Sequence, residues 1–287
     1  MWEDRGSSHE SCAPWSVSSG AEAPKIHRLV LVSGGGLCGN AGQIIAASFL
    51  APCPTTIIEP DIMEIPNLNR SVGVGINMVG HLKLDPLAAA MTSAGFQVEP
   101  LPIRYEEWSA SGAAVSLRDP GAVVLVGVDQ VATRLEAQAD WPSLLVNGAT
   151  GGLDWTVSAH PRGAGGCVGC FYGAGRQPYA ASRRAMACAT PLAATGAQIP
   201  DASYPFVSVC AAAAMVATMM HAIWEKASGL AVNCRQSAMN TTRPQFSMTK
   251  ILEKNPRCLL VCGPPALQDF FRPRSSQDPL GKLDPVS

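Results

Sequence analysis

Gly34, Gly36 and Gly39 form a G-x-G-x-x-G pattern between an apolar run, His27 to Val32, and an Ala-rich apolar stretch, Ala41 to Leu50. In such a loop the backbone N–H groups at a helix start can approach phosphate oxygens closely. Glu59 follows Gly39 by twenty residues, and an acidic side chain at that distance can accept hydrogen bonds from ribose hydroxyls. These residues alone leave a nicotinamide-dependent oxidoreductase and an ATP-using enzyme both open. A denser set follows: Glu59-Pro60-Asp61, then Asn67-Leu68-Asn69-Arg70, then Gly80 with Lys83, and later Asp129 with Arg134.

Arg70, Lys83 and Asp129 together suit adenylation. When a carboxylate attacks the α-phosphate of ATP and expels pyrophosphate, charge builds on phosphate oxygens, so the site needs fixed cations and a metal. Arg70 and Lys83 can supply the cations. Asp129 can hold Mg²⁺, which takes one or two carboxylates and keeps several waters. A nicotinamide site offers no role for these three residues together.

The cysteines divide into two groups. Cys167-Val168-Gly169-Cys170 and Cys258-Leu259-Leu260-Val261-Cys262 are close pairs about ninety residues apart. Four thiolates suit a closed, tetrahedral, structural Zn²⁺ site, and both spacings lie within the range of zinc-binding cysteines. Four buried thiols without a metal are the alternative. Cys188 stands apart, close after Arg183 and Arg184, whose charges favour a thiolate. A small buried residue without chemistry is the alternative there. Cys38, inside the glycine loop, could also be reactive at a helix N-terminus. Cys12, Cys53, Cys210 and Cys234 read as structural or incidental.

These residues need elements to position them. Residues 27–32 and 55–58 read as strands and 41–50 as a helix. Together they make a strand–glycine turn–helix–strand unit, which implies a right-handed crossover and a parallel sheet. A helix is predicted near 83–94, and further strands at 97–101, 122–126 and 144–146. After about residue 150 the chain turns to Gly, Cys and aromatic residues, followed by a long apolar helix at 206–226. Its run from Phe206 to Trp224 is rich in Ala and Met and carries Ser208, Thr218 and His221, so it is expected as a core or dimer-interface helix rather than a membrane span. Residues 1–26 read as a disordered lead-in without a signal peptide, and 264–287 as an irregular tail.

The ordered motifs resemble the ThiF/MoeB superfamily, the fold shared with ubiquitin-activating enzymes. That family's pattern has a glycine loop, an acidic strand end, an acidic–Asn-Leu-x-Arg segment, Gly-x-x-Lys, and a later Asp-Asn-x-x-x-Arg. The resemblance runs from about residue 28 to about 263. It implies an α/β, Rossmann-like, mostly parallel sheet with flanking helices, plus a C-terminal zinc-stapled, partly antiparallel part. The adenylation domain would span 27–263, with a nucleotide-binding half at about 27–150 and a zinc and crossover-loop half at about 151–263. The glycine loop and its neighbours, Gly34, Gly36 and Gly39, would contact phosphate. Glu59 would contact the ribose, Asp61 would belong to the same cofactor-binding set, Asn67, Arg70 and Lys83 would face the triphosphate, and Asp129 would hold the metal. Relatives that pass an activated protein to a thiol carry the acceptor cysteine in the crossover loop, where Cys188 is the match. Four features depart from the family: Glu59 where Asp is usual, Ser71 for Gln, Gln130 for Asn, and no clear N-terminal helix within 1–26.

Composition agrees with a folded, partnered enzyme. The chain has 287 residues, 21 Lys+Arg against 22 Asp+Glu and a net charge of −1, which argues against a nucleic-acid binder. Charged residues are only 15 %, where about 25 % is usual; that low content suits an oligomer. The five histidines show no metal-ligand spacing, and H-E-x-x-H, G-x-S-x-G and the Walker pattern are missing from the sequence. The expectation is a cytoplasmic, homodimeric adenylyltransferase using ATP, Mg²⁺ and structural Zn²⁺. It would activate the C-terminal carboxylate of a ubiquitin-like or sulfur-carrier protein ending in Gly-Gly, with possible thioester formation on Cys188. Its rivals are a degenerate, non-catalytic subunit binding such a partner, and a nicotinamide-dependent oxidoreductase.

Overall fold

Two strands with apolar residues on both faces form the centre of the sheet: β1 (Arg28–Val32) and β4 (Ala122–Val126). Near-continuous burial of this kind marks strands covered on both sides. The structure is a computed structural model and describes residues 25–48, 50–151, 153–172, 204–227, 235–240, 248–255 and 258. The lead-in before residue 25, Cys12, Cys188, Cys234, Cys262 and the tail 264–287 lie outside the described residues.

With β2 (Pro54–Ile58), β3 (Gln97–Leu101), β5 (Leu144–Gly151), β6 (Asp154–Pro161), β7 (Arg235–Asn240) and β8 (Met248–Ile251), the sheet has eight strands in the order β3-β2-β1-β4-β5-β6-β7-β8. The first five are parallel, with Val32 paired to both Ile58 and Val126. The last three run antiparallel, each to its neighbour. The expected combination of a mostly parallel sheet and a partly antiparallel C-terminal part is therefore what the chain adopts. One continuous sheet spans both halves.

Alternate residues of each strand feed two cores, because successive side chains point to opposite faces. On one face Leu29, Leu31, Ile57, Leu125 and Val146 pack under α1 (Gly36–Ala46), α2 (Asp85–Ser93) and α6 (Pro205–Ala227). On the other, Val30, Val32, Ile58, Val124 and Leu145 pack under α3 (Tyr105–Ala110), α4 (Val131–Ala139) and α5 (Val168–Tyr172). Helix α6 is long and apolar enough to span a membrane by length and composition. It lies instead on α1, β5 and β6, burying Ala211, Met215 and Met219 at four-residue spacing, so the core reading of this helix holds.

The helix expected at 41–50 begins earlier, at Gly36, and ends at Ala46. The glycines have poor helix propensity, and packing beneath the sheet overrides it. Helices α3 and α4 had no counterpart in the sequence reading, since α4 is only weakly apolar overall. They meet around a carboxylate group: Asp140 Oδ2 accepts from Tyr105 Oη at 2.7 Å and Ser109 Oγ at 2.8 Å. Burial, Glu106 and Asp140 push the Glu136 carboxyl up to about 7 from 4.5. A carboxyl raised in the folded state binds extra protons there, so its contribution to stability falls as pH rises from 4.5 through about 7. Glu136→Gln is therefore expected to raise the melting temperature above pH 7 and to have little effect at pH 4.5. Equal shifts at both pH values in calorimetry would contradict the raised carboxyl.

Candidate functional site

The sheet order changes direction at β1, which lies between β2 and β4. Crevices for ligands form outside the carboxyl ends of strands at such a switch point, and the glycine loop leaves β1 there. Ser33, at the strand end, has φ +109, a strained conformation for a side-chain-bearing residue. Its hydroxyl lies 3.0 Å from Glu59 Oε2 and 3.2 Å from Gly35 O. Glu59 also accepts from Gly34 N–H at 3.1 Å and, through Oε1, from Asp61 N–H at 3.1 Å. Glu59 is buried and braces the loop against β2.

Two glycines are sterically required. Gly36 has φ +51, the left-handed region that glycine tolerates. A Cβ on Gly39 would lie 2.7 Å from Gly34 O, so a side chain there would force the turn open. The loop walls a shallow cleft lined by Gly34, Gly35, Gly36, Gly39, Asn40 and Lys83 among others.

Lys83 stands at the cleft through a pairing of 61–64 with 80–83: Lys83 N–H donates to Asp61 O at 2.9 Å and Met63 N–H to His81 O at 2.7 Å. Its Nζ donates to Asp61 Oδ2 at 2.8 Å. The Lys83 side chain is 16 % exposed and that of Asp61 63 %. A pair with one partner so open is weak, which leaves the ammonium available to exchange Asp61 for a phosphate. Arg70 ends the 3₁₀ turn Ile65–Arg70, and its Nε lies 4.0 Å from where a Cβ on Gly36 would be. Asn67 is buried, and its Oδ1 accepts from Glu64 N–H at 2.9 Å; this oxygen holds the turn that carries Arg70.

Asn40 lies outside the motifs that point to phosphate chemistry. It is 2 % exposed and joins three segments. Its Nδ2 donates to Arg70 O at 2.8 Å and lies 3.1 Å from Ser208 Oγ on α6, and its Oδ1 accepts from Val72 N–H at 2.8 Å. The signal available beforehand was a polar amide inside an apolar helical stretch.

Asp129 is exposed on the loop between β4 and α4 and does not line the cleft. That loop adjoins the glycine loop. Gly127 N–H donates to Val32 O at 3.3 Å, and a Cβ on Gly127 would lie 2.7 Å from Cys38 Sγ. Arg134 pins the same loop, donating from Nε to Val128 O at 2.8 Å and from Nη1 to Gly148 O at 2.7 Å. Cys38 itself is fully buried, and burial pushes its thiol up to about 12. Burial therefore works against the expected activation of Cys38 at the helix start, because desolvation of a thiolate outweighs the opposing pull of the Arg134 charge.

Far along the chain, Cys167, Cys170 and Cys258 converge. Cys167 Sγ lies 3.8 Å from Cys170 Sγ and 3.5 Å from Cys258 Sγ. Tetrahedral Zn–S bonds of about 2.3 Å place sulfurs about 3.8 Å apart, so the three thiols fit such a metal. Asn255 N–H donates to Cys170 Sγ at 3.2 Å. Gly166 N–H donates to Leu252 O at 2.8 Å and joins the two cysteine-bearing segments. The fourth expected ligand, Cys262, lies outside the described residues.

No protein-family model and no curated protein matches this sequence. Solved structures do match. E. coli MccB has a TM-score of 0.62 at 16 % identity over 85 % of this chain and 67 % of its own. MccB with ATP matches with a TM-score of 0.62 at 16 % identity over 84 % and 68 %. PaaA matches with a TM-score of 0.53 at 14 % identity over 81 % and 74 %. MccB is described as a microcin C7 biosynthetic enzyme. Over more than four fifths of its length this chain thus shares the fold of MccB, in keeping with the ThiF/MoeB-like fold that its motifs imply.

Proposed function

We propose that this chain is an ATP-dependent adenylyltransferase that activates the C-terminal carboxylate of a peptide or small carrier protein. The observation that carries the reading is the meeting of Gly34, Gly36, Gly39 and Lys83 in one cleft at the switch point, with Arg70 beside it. The likeness to MccB with bound ATP supports it.

In this reading the glycine-loop amides and the α1 N-terminus receive the phosphates. Glu59 lies at the ribose end, Asp61 holds the Lys83 ammonium until a phosphate takes its place, and Asn67 holds the turn of Arg70. The substrate carboxylate forms a bond to the α-phosphorus, the bond from that phosphorus to the bridging oxygen breaks, and pyrophosphate leaves. Arg70 and Lys83 neutralise the charge that grows on the phosphate oxygens. Asp129 would hold Mg²⁺, which adds positive charge at the same oxygens. Cys167, Cys170, Cys258 and Cys262 would hold structural Zn²⁺.

The substrate follows from two supports. MccB has been solved with the MccA peptide, which favours a peptide here. The motif resemblance favours a ubiquitin-like or sulfur-carrier protein ending in Gly-Gly, with the Cys188 thiolate attacking the acyl-adenylate carbonyl to form a thioester and release AMP. In either case the enzyme is read as a cytoplasmic homodimer. ATP–pyrophosphate exchange, screened with carrier proteins and peptides encoded near the gene, tests this. Substrate-dependent exchange is expected. ATP binding without exchange for any substrate would favour a non-catalytic subunit, and nicotinamide binding in place of ATP would overturn the reading.

A further inference from the structure

Beneath α4 and α5 a line of polar side chains interrupts the apolar core. Asn147 on β5 and Ser158 on β6 are direct cross-strand partners, and His160 follows two residues later on the same face. Arg134, Asn147, Ser158 and His160 are each at most 4 % exposed. Arg134 Nη1 donates to Asn147 Oδ1. Asn147 Nδ2 donates to Ser158 Oγ at 3.3 Å. Ser158 Oγ and His160 Nε2 are 2.8 Å apart, and His160 Nδ1 lies 2.9 Å from Gly166 O.

The protons follow from chemistry. Gly166 O can only accept, so Nδ1 carries the hydrogen. Burial drives the His160 pKa down to about 4, so the ring is neutral and Nε2 accepts from the Ser158 hydroxyl. All four side chains are thus set in one direction. Apolar residues would fill the same space without this demand for exact partners.

The ends of the line are what give it meaning. One end is Val128 O, held by Arg134 Nε at 2.8 Å, and the next residue is Asp129. The other end is Gly166 O, and the next residue is Cys167. A second bond ties the same parts: Val168 N–H donates to Gln138 Oε1 on α4 at 3.1 Å.

We propose that the Arg134–Asn147–Ser158–His160–Gly166 line couples the cysteine cluster to the Asp129 loop, with His160 as a positioning residue, so that metal held by the cysteines and magnesium–nucleotide held at the cleft favour each other's binding. His160 touches neither ligand. The inference rests on the nucleotide and metal readings above.

The test is a linkage measurement, since coupling between sites is reciprocal. Zn²⁺ affinity is measured by competition with a chromophoric chelator, with and without Mg²⁺ and a non-hydrolysable ATP analogue. In the wild-type protein the analogue is expected to tighten zinc binding by about 10-fold, within the usual 5–150-fold range of coupling. In Ser158→Ala and His160→Phe that ratio should fall to about 1–2. His160→Gln, which can both donate to Gly166 O and accept from Ser158, should retain most of it. A merely structural role would shift zinc affinity equally with and without analogue and leave the ratio unchanged. A ratio of one in the wild type, or an unchanged ratio in both disruptive variants, overturns the proposal.

Amide exchange provides a reading without nucleotide. Removing zinc from the wild type should speed exchange at residues 127–130, and removing it from Ser158→Ala should add no such change. If the analogue does not bind the wild type, the nucleotide reading fails, and amide exchange still decides the coupling. Unaltered exchange at 127–130 on zinc removal overturns it, as does failure of the wild type to bind zinc.

Discussion

Lys83→Ala is expected to lower substrate-dependent ATP–pyrophosphate exchange by about 10²–10³-fold, the range for removing one preorganised charge or donor from a transition state, while the protein stays folded. Lys83 lines the cleft. Its stem packs on the glycine loop, where a Cβ on Gly35 would lie 3.0 Å from Lys83 Cδ. The cost to the fold is small because its partner Asp61 is 63 % exposed and regains water. Lys83→Arg should recover little activity, since a planar guanidinium cannot occupy the point-charge position of an ammonium on that stem. Exchange assays with the melting temperature as a control check both variants. Near-normal exchange in folded Lys83→Ala would remove this residue from the site and shift the burden to Arg70 and Asp129.

Cys258→Ser should have the largest effect on stability. Three of the expected ligand sulfurs already lie at the separations a tetrahedral metal needs. Binding of structural zinc is folding free energy, and losing one ligand is expected to cost about 3–5 kcal/mol. At about 2–4 °C per kcal/mol for a domain of this size, the melting temperature should fall by roughly 10 °C. Metal content by mass spectrometry should fall with it. Cys262→Ser should behave alike if Cys262 is the fourth ligand. Cys53→Ser, a buried cysteine away from the cluster, should keep its zinc. Unchanged metal content in Cys258→Ser would refute the site.

The features read from the sequence were local ones. Strands β1 and β4 are short apolar runs complete within five residues each. The glycine loop is a spacing of six residues, Gly34 to Gly39. The motifs that pointed to phosphate chemistry occupy contiguous stretches, and the fold they imply is the one observed. Helices α3 and α4 carried weaker signals, because their buried faces are short and mixed with charge.

What lay beyond the sequence were contacts between distant segments. Asn40 draws meaning from Arg70, Val72 and Ser208, 30, 32 and 168 residues away. Glu59 braces the glycine loop because β2 lies beside β1, and Arg134 holds the Asp129 loop because α4 leans over β5. Cys38 stood where a helix end could have activated it, and burial decided otherwise. By itself, then, the sequence determined the five parallel strands, the helices α1, α2 and α6, the glycine turn and the types of the reactive groups, since propensity and periodicity act over a few residues. Only the tertiary structure decided which buried polar atoms meet and which thiols stay inert, because hydrogen bonding and desolvation depend on neighbours that the chain brings together from far apart.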